Sequence, residues 1–239
     1  MNRPERPKKR RKLARRKVEA GSAEIMPDIV CEPAVEETVL TGARTGVLRS
    51  ALKNRIYLLL LAGFSTCGFH MVIIESHLYS QNVSYGLSDT NAGWAFSVYG
   101  IATIIGALLS GFLSTRLNKG DLLCFYYGFR AVWAALYIFL MPKTMFTAVL
   151  YAVGLGMTGD ATVSPTSGIV NANFRLKDVA MLIGLLFAVQ QTGAFLSAWL
   201  GGIIVSATGG YTLLWICDIA LCVMASACSF MIKRVKKQL

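Results

Sequence analysis

VAMLIGLLFAVQQTGAFLSAWLGGIIV, Val179 to Val205, carries no charged side chain along its whole length. A helix of ~20 apolar residues rising 1.5 Å per residue crosses ~30 Å of hydrocarbon, so this stretch alone is long enough to span a bilayer. Five further apolar runs, near 56–76, 92–114, 122–141, 145–170 and 211–232, are of comparable length. They are continuous rather than alternating, which reads as helices and not barrel strands, and a helix satisfies its own backbone hydrogen bonds in lipid. The expected fold is an all-α membrane protein with six transmembrane helices.

Composition agrees. The 239 residues are 54% hydrophobic and only 15% charged, and the charges crowd into the first 55 positions and a few short connectors. A water-soluble core is not distributed that way. Arg116 with Lys119, Arg175 with Lys177, and the group Lys233, Arg234, Lys236 and Lys237 fall in the same alternate gaps as the basic tail. The remaining gaps, 77–91, 142–144 and 206–210, hold only Lys143. Basic loops stay on the cytoplasmic side, so both termini are expected there.

The net charge of +11 is then topology plus attraction to anionic lipid, where each basic side chain gains ~1 kcal/mol. The run KKRRKLARRK (Lys8–Lys17) also fits a nuclear-targeting or RNA-binding patch. Membrane-surface attraction accounts for the same residues, and no nucleic-acid partner is expected. Three regions follow. Residues 1–55 form a disordered cytoplasmic tail or linker, with a short helix at Val47–Arg55; 56–232 form the transmembrane domain; 233–239 form a basic cytoplasmic end.

Ionisable groups in hydrocarbon cost ~2.5–3.5 kcal/mol at a helix centre, so each is a functional candidate. His70, Glu75, Asp160, Gln190 and Gln191 are candidates for a substrate or proton pathway. Glu75 and His77 lie near a boundary where solvation also explains them. His70 either exchanges a proton near neutral pH or is held by a neighbouring carbonyl. Arg130 keeps its charge and must meet a carboxylate, backbone carbonyls or an anion. A structural ion pair of Arg130 with Asp160 or Asp218 is the favoured reading. In the fourth run, Gly159 to Gly168 contains Pro165, which favours a broken helix lining a cavity. Small residues at contact spacing, such as Gly106, Gly156, Gly193 and Gly201, favour close packing. Cys67, Cys124, Cys217, Cys222 and Cys228 fall within spans and Cys31 in the tail, without metal-ligand spacing. No phosphate loop or nucleophile elbow is present, and neither catalysis, a metal nor another cofactor is expected. Two inverted three-helix repeats are permitted by the even number of spans.

From Arg55 to Arg234 the chain resembles the C-terminal six-helix half of a major facilitator superfamily transporter, similar to bacterial monocarboxylate and oxalate/formate carriers. The resemblance is carried by Cys67–Gly68–Phe69–His70 with His77–Leu78, by Ser164–Pro165–Thr166–Ser167, and most specifically by Gln191 to Gly202. Gly111, Arg116 and Lys119 match the superfamily's G-x-x-x-D-R-x-G-R/K cytoplasmic loop, with Thr115 in place of the acid and Asn118 in place of the glycine. This implies that the first, second, fourth and fifth spans line a central cavity and the third and sixth face outward. It also implies a secondary transporter of the bacterial inner membrane that moves a small solute, with or without protons, by alternating access. A second six-helix half or a homodimer would complete it. The alternative is a transport-inactive, truncated remnant or membrane-anchored interaction module.

The topology is checked by accessibility in intact cells. A membrane-impermeant thiol reagent is expected to modify Gly210→Cys directly and Arg175→Cys only after permeabilisation; the reverse pattern overturns the orientation.

Overall fold

The computed structural model describes residues 46–238, with side chains for 46–232. The expected tail through residue 45, including Lys8–Lys17 and Cys31, and the side chains of the basic C-terminus lie outside the described residues. Among the described residues, six helices are long and apolar enough to cross a membrane: Arg55–Ser84, Asp89–Arg116, Lys119–Phe139, Met145–Asn173, Leu176–Thr208 and Thr212–Ile232. They are called the first to sixth spans below.

Local chemistry sets their ends. A short helix at 46–51 places Ala51 in the core, ending before the expected Arg55. Asn54 Oδ1 then accepts from the Ile56 and Tyr57 amides, Ser88 and Asn118 cap the second and third spans, and Thr144 forms a capping box with Thr147. Gly209 stops the fifth span in a left-handed conformation at φ 69°, which suits a residue without Cβ.

The first span runs to Ser84 rather than ending near residue 76. Its last turns carry Gln81 and Asn82, both fully buried. Trp215 Nε1 donates to Gln81 Oε1 at 2.8 Å and Tyr137 Oη donates to Asn82 Oδ1 at 3.3 Å. Hydropathy reads those amides as a helix end, whereas partners from the third and sixth spans let the helix continue.

The first span is the hub, with 67% of its most apolar window buried against 28% for the second and fifth. The first packs on the fifth, the second on the fourth and the third on the sixth, while the sixth also covers the first and the third covers the fourth. Exchanging first with fourth, second with fifth and third with sixth leaves this set of neighbours unchanged, as an inverted repeat requires.

The two corresponding pairs use the same contact. A Cβ on Gly68 would strike the Gln190 carbonyl, and one on Gly193 would strike the Ser65 carbonyl. Likewise a Cβ on Gly106 would strike the Met157 backbone and one on Gly156 the Tyr99 carbonyl. Each crossing therefore brings backbone against backbone, the arrangement that dispersion and weak Cα–H···O contacts favour in lipid.

Apolar residues form two large clusters along the hub. One gathers Tyr57, Leu60, Phe64, Cys67, Leu182 and Leu186; the other gathers Ile73, Leu78, Tyr137, Tyr151, Leu155 and Trp215. His70 sits on the first span between Cys67 of one cluster and Ile73 of the other.

Gly68→Ala is expected to destabilise the protein by about 1–3 kcal/mol, the cost of overpacking a tight contact. Gly202→Ala, where a Cβ meets nothing within 4 Å, is expected to be near neutral. Reversible unfolding in mixed micelles measures both.

Candidate functional site

Proline at position 165 removes the amide that would bond the Ala161 carbonyl four residues earlier. The fourth span is accordingly two helices, Met145–Thr158 and Val163–Asn173, joined by a tight turn at Asp160–Thr162. Ser110 Oγ of the second span donates to the freed Ala161 carbonyl. The Val163 amide bonds Asp160 O, so Gly159 O also lacks its usual helical donor.

Arg130 answers there. Its Nη2 donates to Gly159 O at 2.5 Å and to Thr158 O, while Nη1 reaches Cys67 Sγ at 3.6 Å. The guanidinium lies over the Tyr127 ring, 5.3 Å from its centroid. Carbonyls at a helix C-terminus carry partial negative charge, so the broken helix itself serves as Arg130's anionic partner. Cys67 Sγ also meets Thr162 Oγ1 at 3.1 Å, tying the first span to the same turn.

Asp218 has a different partner. Its Oδ2 lies 2.7 Å from His70 Nδ1, and both side chains are buried. Cys222 Sγ stands 4.0 Å from His70 Nδ1 and 4.0 Å from Asp218 Oδ1. His70 Nε2 and Arg130 Nε have no hydrogen-bond partner among the described residues. The expected ion pair of Arg130 with Asp160 or Asp218 is therefore not formed. The cause is the helix break, which offers carbonyls in place of a carboxylate and leaves Asp218 to the imidazole. Arg130 and Asp218 are both 0% exposed, turned into the bundle from the third and sixth spans.

His70, Asp218 and Cys222 bring three potential metal ligands within 4.8 Å of one another. Two ligands at ~2 Å from a tetrahedral ion stand about 3.3 Å apart. The imidazole and carboxylate, at 2.7 Å, are spaced to share a proton instead.

The other candidates lie toward the outside of the bundle. Glu75 and Gln191 are exposed, Asp160 and Gln190 half-buried. Glu75, Asp160 and Tyr99 are within Coulombic range of each other, and Tyr99 Oη contacts Met71 Sδ at 3.7 Å. The Gln190 backbone rests on Gly68 of the first span. Edges of the first, second, fourth and fifth spans thus contribute to these polar groups. His77, within the first span rather than beyond it, packs over Gly201 with its ring 6.0 Å from that of Tyr211.

Between the second and third spans, Gly111 has open space, Arg116 lies over Phe112 at 5.6 Å, and the Lys119 stem packs on Gly168. Lys143, the lone base in its set of gaps, donates to the Tyr137, Ile138 and Met141 carbonyls at the end of the third span. Partial burial lowers its pKa from the usual lysine range. It acts as a helix cap, which explains its exception to the charge pattern.

A family model described as Major Facilitator Superfamily matches residues 56–238. The chain belongs to the major facilitator superfamily. It is 26% identical over 197 residues to a Bacillus subtilis (strain 168) protein named as an uncharacterized MFS-type transporter, YcxA, covering 77% of this chain and 44% of that protein. It is 24% identical over 167 residues to the Aspergillus flavus MFS transporter asaE, covering 68% of this chain and 37% of that one. The chain spans less than half the length of both relatives. Major facilitator proteins are multi-pass membrane proteins of a transporter family and not an enzyme family, and the six helices fit one half of that fold.

Hydropathy and spacing did not reveal Cys67, Cys222, Ser110 or the carbonyls of Thr158 and Gly159 as members of the buried polar layer. Pro165 held a usable signal: counting back four residues identifies Ala161 as a carbonyl needing an outside donor.

Arg130→Met leaves the carbonyls at the break without their charged donor and is expected to cost roughly 1.5–3 kcal/mol or more. Arg130→Lys should recover only part, since an ammonium lacks the planar fork. Both are read by reversible unfolding in micelles.

Proposed function

We propose that this chain forms one half of a secondary transporter that carries a small polar solute by alternating access. The observation carrying this reading is the set of accessible or half-buried polar groups Glu75, Asp160, Gln190 and Gln191 on the first, fourth and fifth spans, among otherwise apolar side chains. A second six-helix unit, from another segment or another copy of this chain, closes over those groups, and the bundle rocks against it. Residues 1–55 serve as a cytoplasmic linker, both termini lie in the cytoplasm, and the membrane is a bacterial inner membrane.

These groups also speak to substrate charge. Glu75 and Asp160 place two carboxyl groups there, while Arg130 is buried and engaged with carbonyls. A cationic or neutral hydrogen-bonding solute fits this lining better than a carboxylate does. That separates the reading from the monocarboxylate and oxalate/formate resemblance.

Uptake into proteoliposomes of small cationic, zwitterionic and anionic solutes tests the proposal, using the chain alone and with a six-span partner. Saturable uptake of a cationic or neutral solute is expected. Glu75→Gln and Gln190→Ala should each reduce it about tenfold, the value of one strong hydrogen bond. No saturable uptake in either arrangement overturns the reading, and uptake confined to anions overturns the substrate class.

A further inference from the structure

His70 is fully buried and its two ring nitrogens are unequally served. Nδ1 faces the Asp218 carboxylate at 2.7 Å, whereas Nε2 has no partner among the described residues. An ionised carboxylate only accepts hydrogen bonds, so the bond requires the proton on Nδ1. In the neutral ring Nε2 then holds an unoccupied lone pair, and it is the atom where one more proton can be added.

We infer that His70 Nε2 is a reversible proton-binding site of the membrane interior, separate from the polar groups facing the solute. The step is simple in balance. A hydronium ion gives its proton to the Nε2 lone pair and leaves as water, Nδ1–H stays on Asp218, and the neutral imidazole becomes an imidazolium. No electrons move. The layer, which contains Arg130 as its cation and Asp218 as its anion, changes from zero net charge to one positive charge.

The surroundings support exchange rather than permanent charge. On the first span itself, Cys67 lies one turn away; the sixth supplies Asp218 and Cys222. The third supplies Arg130 and Tyr127, whose guanidinium and ring are 5.3 Å apart. Tyr151 of the fourth reaches the same layer through Trp215, with ring centroids 5.6 Å apart, and Trp215 meets His70 edge-on at 6.4 Å. The second contributes Tyr99, turned toward Met71. The fifth meets the first through Gly193 and the Gln190 backbone, neither of which carries charge. The Asp218 carboxylate faces one ring nitrogen of His70, and the other stays open to a proton. Because Asp218 belongs to the sixth span, proton binding strengthens the tie between the first and sixth spans and weakens it on release.

This inference rests on the transporter reading for its use, but not for its test. With only two histidines in the chain, nitrogen NMR of histidine-labelled full-length protein in nanodiscs reports both tautomer and charge. The His70 resonances are identified by their loss in His70→Gln. The expected result is an Nδ1–H tautomer at alkaline pH that converts to imidazolium on acidification, with the conversion needing more acid in Asp218→Asn. If His70→Gln does not fold, His77→Gln identifies the His70 resonances as the ones that remain. An Nε2–H tautomer at alkaline pH, a charge state unchanged by acidification, or a conversion unmoved by Asp218→Asn overturns the inference. Proteoliposome uptake is scored separately, so titration without transport sinks the transporter reading alone, and transport without titration sinks the proton site alone.

Discussion

A backbone carbonyl released from its helix inside a bilayer has no water to bond, and the structure is organised around that constraint. Pro165 and the turn at Asp160–Thr162 release carbonyls midway along the fourth span. Ser110 reaches across from the second span and Arg130 from the third to bond them. A buried arginine and a broken helix would each be costly alone. Together they supply each other's missing partner, and three spans become fixed to one point.

The same logic recurs on the other side of the bundle. The third span projects Arg130 onto the fourth, and the sixth projects Asp218 onto the first. Under the exchange that relates the two halves of the bundle, these are corresponding interfaces carrying opposite charges. Reciprocal glycine crossings repeat the correspondence in the apolar packing. The polar layer and the close crossings therefore share one architectural plan, although the residues themselves show no evident identity between halves.

Much of the fold was legible because lipid imposes simple rules. Length and apolarity marked six spans, and Pro165 marked the break. What hydropathy averages over could not be read. The first span continues through Gln81 and Asn82 because Trp215 and Tyr137, distant in sequence, satisfy those amides. Arg130 was expected beside a carboxylate because a sequence displays charges but not carbonyls freed by a turn. Asp218 was expected beside Arg130 because a sequence does not display the rotation of a helix about its axis, which depends on its neighbours. His70 was read as a proton carrier or as a group held by a carbonyl, and only its distance to Asp218 distinguishes its actual partner.

The opposite charges of Arg130 and Asp218 have a consequence for work done against the membrane voltage. Moving one elementary charge through the full potential involves about 2.3 kcal/mol per 100 mV. The Cys222 thiol lies within Coulombic range of both residues, which places the two charges in one neighbourhood. A displacement that carries them together draws almost no electrical work from the field, because the force on one cancels the force on the other. The pair itself therefore adds almost no voltage dependence to a movement that carries both groups, unless the sum of their charges changes.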